Sequence, residues 1–405
     1  MTTVPTPALY AAASSDWLKF VAVVFGVVVV AAVLVAAVET VVLPRNTFTR
    51  LTRVTFAVID RILIHRRRTG ARADNLRALY GPVALVSLPM VWMLTVIVGF
   101  TLIFWGVDSG SLSHSFDISG SSVTTLGFAA PEGSVRTWIT FVEAIIGLGL
   151  VALLISYLPT IYAAHHDREK GITTLRPFTG TPPGGVMLLT TLTGYDALDN
   201  PDLWQSASQW LIELAQTHSS FPALCYFPEN SDVNSWVASV GALLDTGALL
   251  LSGTPLDLSG DTDRAHQGPM LVLAHGVPSL VEIGRAAGLP IDAPVPLIHL
   301  LPDTSHPPPE ISVTREEFEA ALDRLGDIVP VAPGDRDAAW HRFAWVRSSY
   351  DRAVRGLAGL TQATPAPWTT DRPARVGRPR LVTKRPLRVD WTLHPPVAVE
   401  RAERA

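Results

Sequence analysis

Three long apolar runs stand out against a mixed polar background, at residues 17–44, 79–106 and 138–165. The stretch 20–43 would be roughly 36 Å long as a helix, enough for a hydrocarbon core of about 30 Å. Its valine richness does not oppose a helix, because lipid leaves a lone spanning segment no other way to satisfy its backbone. The second run has Pro82 near its start and Pro89 inside, which predicts a kink. Tyr80 and Trp105 bracket it, and Tyr157 and Tyr162 sit near the far end of the third, as interfacial aromatics do. Each run is expected to cross a membrane. A secretory signal peptide is the rival reading of the first. The length of the run, the lack of a cationic side chain before residue 17, and Glu39 and Pro44 at its end all oppose it.

Beyond the third run the periodicity is that of amphipathic helices. Residues 176–185, rich in proline and glycine, read as a linker. A helix is expected after Asn200 as cap and Pro201 in the first turn, with Leu203, Trp204, Ala207, Leu211 and Leu214 on one face. Residues 233–253 read as an apolar helix buried in protein, because glycine and aspartate interrupt it. Thr314 with Glu317 forms a capping box before a helix that Gly326 ends. Residues 335–357 place Ala339, Phe343, Val346, Tyr350 and Val354 on one stripe. Residues 363–405 are rich in proline and arginine and are expected to be disordered, with possible contact to anionic lipid.

Composition agrees with a membrane protein. Of 405 residues, 48% are hydrophobic and 17% charged, where about a quarter charged is usual. The net charge of −4 gives no basic field for nucleic acid. Cys225 is the only cysteine, so no intrachain disulfide or multi-thiolate metal site can form. Lys19, Lys170 and Lys384 are the only lysines, a bias toward arginine that reads as GC-rich bacterial coding. The expected location is therefore the plasma membrane of a bacterium.

Arginine placement sets the orientation. Arg45, Arg50, Arg53, Arg61, Arg66, Arg67, Arg68, Arg72 and Arg77 crowd the loop between the first two runs. The positive-inside rule puts that loop in the cytoplasm. The N-terminus and residues 107–137 are then outside, and the long C-terminal region is inside. Arg168 and Lys170 after the third run agree. Within the loop, Phe48, Leu51, Val54, Val58 and Ile62 fall near helical spacing, as in an interfacial helix on anionic lipid. A voltage sensor would need its arginines inside a span.

The external segment between the second and third runs is polar and short, and it contains "GSSVTTLGFA" at 120–129. A helix is expected from Ser113 or Ser115 to Val123, with Asp117 in its first turn. Such a segment either leaves the membrane as an ordinary loop or dips back into it, which backbone tolerates only when it lines water or is buried in protein. Around a fourfold axis, successive carbonyls of Thr125, Leu126, Gly127 and Phe128 would replace a cation's water shell. Gly127 can take the left-handed backbone that such an alternation needs. Thr125 adds a hydroxyl at the inner end.

The order of outer helix, short helix, Thr-x-Gly-aromatic and inner helix resembles the pore module of tetrameric potassium channels over residues 79–165. The resemblance implies that Thr125, Leu126, Gly127 and Phe128 form a selectivity filter, with Val123 and Thr124 leading into it. It implies a homotetramer passing potassium or another monovalent cation, with no other cofactor and no enzymatic step. Ala129 stands where a second glycine is usual and Ala130 where an acidic residue is common. Selectivity for potassium over sodium is the property these departures touch.

Glu143 lies within the third run. It is expected either to brace the filter or attract cations, or else to snorkel or pair with Arg136. Gly147 and Gly149 are candidates for a gating bend or for close packing; Pro159 can bend the cytoplasmic end. Asp108, Asp117 and Glu132 are outer charges, and His114 is a possible pH sensor. Asp245-Thr246-Gly247 matches an aspartic-protease tripeptide, but that chemistry needs two such loops in a β-rich frame. The run His165, His166, Asp167, Arg168, Glu169 is a possible metal cluster. No phosphate-binding glycine loop occurs.

The fold expected is thus all-α: residues 1–44 with the first span, a basic loop at 45–78, a pore module at 79–165, a cytoplasmic helical domain at 171–362 and a tail at 363–405. The alternative function is a membrane-anchored sensor or scaffold whose cytoplasmic domain binds a protein.

Overall fold

The computed structural model describes residues 7–41, 80–107, 110–227, 235–253, 264–292 and 307–374. These residues form ten α-helices and short 3-10 turns, with no strand among them. The helices are α1 (Pro7–Val41), α2 (Tyr80–Val107), α3 (Leu112–Val123), α4 (Ser134–Thr179), α5 (Gly185–Gly194), α6 (Pro201–Ser220), α7 (Trp236–Gly253), α8 (Arg264–Ala286), α9 (Arg315–Leu325) and α10 (Arg336–Thr361). The basic loop with its interfacial helix, Asp108 and residues 375–405 lie outside the described residues.

Four helices are long and apolar enough to cross a membrane: α1, α2, α4 and α7. The last of these is 94% buried inside the protein, so it has no face left for lipid. The other three are largely uncovered along their apolar windows.

The apolar runs become helices that close on small residues. α1 and α2 run antiparallel. A Cβ on Gly26 would lie 2.5 Å from the Gly99 carbonyl oxygen, and one on Gly106 2.6 Å from that of Lys19. Only glycine lets the two backbones approach this closely, the usual device where no hydrophobic effect drives helices together. α2, α3 and the first part of α4 complete this bundle around Trp92, Val96, Phe100, Phe104, Ile118 and Leu150.

α4 has 46 residues and is about 69 Å long, more than twice a hydrocarbon core of about 30 Å. It runs unbroken from this bundle into the second one, where Ile172 and Leu175 join the core of α5–α10. Between the two bundles its Tyr157, Ile161 and Ala164 pack against the 3-10 turn Pro222–Tyr226 and Phe227. Arg168, fully buried there, donates through Nη1 to the Leu224 carbonyl at 3.0 Å and through Nη2 to Glu169 Oε1 at 2.8 Å.

Several expectations need correction. Residues 176–179 continue α4, and only 180–184 form a turn before α5, because Gly180, at φ +80°, caps the helix through its N–H to the Arg176 carbonyl. α3 starts at Leu112, with Ser111 as cap accepting from the His114 N–H at 3.2 Å, so Asp117 falls beyond the first turn. α1 begins at Pro7, ahead of the apolar run. The predicted disorder at 363–405 does not hold for 363–374. That segment lies on the α5–α10 bundle, with Ala366, Thr369 and Thr370 buried.

What docks that segment is a set of arginine contacts. Arg347 donates to the Trp368 carbonyl at 2.6 Å. Arg372 forks onto both oxygens of Glu317 at 2.8 Å each, and the Ala374 N–H donates to the Arg355 carbonyl at 2.9 Å. Glu317 also closes the capping box with Thr314 at the start of α9. The Arg372 hydrogen bonds hold the Glu317 carboxyl below its ordinary value of 4.5. A carboxylate with a depressed folded-state value stabilises above its unfolded value and loses that contribution as pH falls through the folded one. Protection of the Thr369, Thr370 and Asp371 amides against hydrogen exchange, corrected for intrinsic rates, should therefore decline below about pH 4.5. Unchanged protection down to pH 3 would refute the anchor.

Candidate functional site

The short helix α3 is unusual in burying hydroxyls. Ser115, Ser119, Ser121 and Ser122 are all buried, with Ile118 and Val123. Serine is a modest helix former, so the helix depends on its neighbours. Ser122 bonds back to the Ile118 carbonyl at 2.7 Å. Ser119 bridges all three helices of its surroundings: its hydroxyl lies 3.0 Å from the Ile97 carbonyl of α2 and 2.5 Å from Glu143 Oε1 of α4. Glu143 is fully buried and does not reach a surface. Its second oxygen has no hydrogen-bond partner.

α4 passes the end of α3 at Gly147, where a Cβ would lie 2.6 Å from the Val123 carbonyl oxygen. Close approach therefore accounts for this glycine. Around Gly149 a Cβ would meet nothing within 4 Å, and α4 is continuous through both.

α3 ends in a Schellman arrangement. The Leu126 N–H reaches back to the Ser121 carbonyl at 3.0 Å, and the Thr125 N–H to that of Ser122 at 3.1 Å. The residue between the helix cap Thr124 and Leu126 must then be left-handed. It is Thr125, at φ +57°. Glycine is usual there; a β-branched residue with positive φ is a true outlier, costing about 1–3 kcal/mol. Gly127 follows at φ +71°. The Gly127 N–H also faces the Ser121 carbonyl, at 3.4 Å, and the Ala129 N–H donates to Ser121 Oγ at 3.1 Å.

These bonds fix the carbonyls. A trans peptide unit is planar and carries its N–H and C=O on opposite sides. An N–H of Thr125, Leu126, Gly127 or Ala129 that points back to α3 therefore turns the carbonyl of Thr124, Thr125, Leu126 or Phe128, respectively, away from it. Four carbonyls of this stretch thus face away from the helix that supports them. The partially negative C-terminus of α3 lies at the same place. Leu126 is 70% exposed and Phe128 67% exposed, so the described residues leave these two side chains of the loop largely uncovered.

The structure gathers Thr124, Thr125, Leu126, Gly127, Phe128 and Ala129 with Glu143 and Gly147 around one helix end. Gly149 and the outer charges Asp117 and Glu132 stand apart from these contacts. His114 is exposed. Sequence reasoning missed Ser119 and Ser121; a helix with four serines at buried positions was the available signal.

Other candidates resolve differently. Asp245 is buried in α7 against Arg347 and accepts from the Tyr350 hydroxyl at 2.7 Å. His165 Nδ1 lies 3.0 Å from Arg168 Nη2. Among the described residues no group of three or more His, Cys, Asp or Glu is placed to hold a metal.

The described residues thus define an all-helical protein with several apolar helices that can span a membrane. No family model matches the chain, and no curated protein or solved structure matches it.

Proposed function

We propose that this chain is one subunit of a homotetrameric cation channel, with α2, α3 and α4 forming a pore module and 125–128 its filter. The observation that carries this reading is the common outward turn of four successive-region carbonyls at Thr124, Thr125, Leu126 and Phe128. In a lone subunit the same turn would be an ordinary helix cap whose outward carbonyls are left to solvent, at the cost of a strained Thr125. Around a shared axis the same oxygens stack as rings that replace a monovalent cation's hydration. Potassium is the expected cargo.

In this reading α3 re-enters the membrane from outside, α1, α2 and α4 span it, and the α5–α10 bundle lies in the cytoplasm of a bacterium. Neighbouring subunits cover the apolar side chains that one chain leaves open: Phe116 on α3, Leu126 and Phe128 in the loop, Ile145, Leu148 and Ile155 on α4. Ions move down their gradient, with about 2.3 kcal/mol per charge available for each 100 mV. Anionic lipid meets the basic loop.

The test is reconstitution of the full chain into liposomes, with potassium and sodium flux recorded separately and subunit number measured by mass in detergent. A fourfold assembly with cation flux is expected. A monomer or dimer without flux would favour a membrane-anchored scaffold with a protein-binding helical domain.

A further inference from the structure

The loop 124–129 is wrapped around a single residue of α3. Ser121 is 1% exposed. Its carbonyl oxygen accepts from Leu126 at 3.0 Å and faces the Gly127 N–H at 3.4 Å, while its side-chain oxygen accepts from Ala129 at 3.1 Å. Among the described residues no other residue of α3 touches both ends of the loop through hydrogen bonds; Ser122 accepts only from the amides of Thr124 and Thr125, through its carbonyl. We propose that Ser121 is the specificity-determining positioning residue of the pore, its hydroxyl fixing the outermost carbonyl ring by holding the Ala129 amide.

The physical argument starts from Ala129. The Ala129 methyl packs, only partly buried, against the bundle core and carries no polar atom, so it cannot by itself set which way the peptide between Phe128 and Ala129 faces. A single hydrogen bond does so. With the Ala129 N–H anchored on Ser121 Oγ, the Phe128 carbonyl must point to the opposite side of the same planar unit. Phe128 itself gives no anchor, because its ring is 67% exposed. The inner carbonyls of Thr125 and Leu126 are set by the Ser121 main chain and survive any side-chain change. The outer carbonyl depends on the hydroxyl alone. Selectivity by a ring of carbonyls requires those oxygens to hold their spacing against the pull of a smaller ion, so freeing one ring relaxes discrimination before it stops conduction.

This inference rests on the pore reading above. Its test is the ratio of potassium to sodium flux in liposomes carrying wild type, Ser121→Ala, Ser121→Thr and Ser115→Ala. Ser121→Ala should conduct, with a ratio lower by roughly three- to tenfold, the factor that one hydrogen bond of ordinary strength supplies. Ser121→Thr, which keeps the hydroxyl, should restore the ratio. Ser115→Ala, which loses only a bond from its hydroxyl back to the Ser111 carbonyl, should match wild type. A potassium-selective wild type whose ratio is unaltered in Ser121→Ala overturns this inference and leaves the pore standing. A wild type that passes neither ion overturns both.

Discussion

In the proposed channel, Gly127→Ala should reduce cation flux to the level of empty liposomes while leaving the subunit number and helix content of wild type intact. The residue sits at φ +71°, and among the described residues a Cβ added there would meet nothing within 4 Å. Steric collision inside the subunit is therefore no explanation for a defect. What remains is the backbone. An L-residue in the left-handed region costs about 1–2 kcal/mol. Repeated around a fourfold axis, the cost is about 4–8 kcal/mol for the assembly. The loop already carries a strained Thr125 two residues earlier, so it has little slack to absorb more. The peptide preceding residue 127 is expected to flip, turning the Leu126 carbonyl back toward α3. Flux equal to wild type, with assembly confirmed by mass, would refute the carbonyl-ring mechanism.

The second large effect concerns the α5–α10 bundle. Arg347 and Asp245 have side-chain exposures of 0% and 1%. Arg347 also reaches Asp351 at 3.2 Å and the Trp368 carbonyl at 2.6 Å, and the Tyr350 hydroxyl supports Asp245. Arg347→Met would strand the Asp245 carboxylate in a site where Asp245 Oδ2 already lacks a partner. Removing one member of a buried pair costs about 3–5 kcal/mol, because the other charge is left desolvated. Denaturant unfolding of the full chain in detergent should show a loss of that size, together with release of the 366–374 segment. The double variant Asp245→Leu with Arg347→Met should recover much of it, since a well-packed apolar pair often replaces an ionic one without loss. A single variant within about 1 kcal/mol of wild type would show that the pair is solvated rather than buried.

What was legible in the sequence was local or periodic. The Asn200 cap and the Thr314–Glu317 box act within one turn, and both occur as read, with Asn200 Oδ1 accepting from Asp202 at 3.0 Å. The stripe Ala339, Phe343, Val346, Tyr350 and Val354 is wholly buried. The apolar helix read at 233–253 is described over Trp236–Gly253, where it is enclosed by protein and its interrupting Asp245 meets Arg347, 102 residues away. No pattern within the helix announces that partner. The start of the linker read at 176–185 was misjudged for a related reason: Pro177 and the glycines signal a break, yet α4 holds to Thr179, with Ile172 and Leu175 packed in the bundle core. Arginine and proline after residue 363 suggest a solvated tail, but Arg372 finds the Glu317 carboxylate and the Ser312 carbonyl, and Arg347 opposite finds the Trp368 carbonyl, and so residues 363–374 are docked.

The candidate site divides in the same way. Residue identities at 124–129 and the need for a left-handed glycine follow from the sequence, because backbone preference is a property of each residue. Which way the carbonyls face does not. That was decided by Ser121 and Ser122 accepting the loop amides, by Glu143 meeting Ser119 across two helices, and by Gly147 admitting Val123. Those are contacts between elements, and their geometry exists only once apolar burial and close helix packing have brought the elements together.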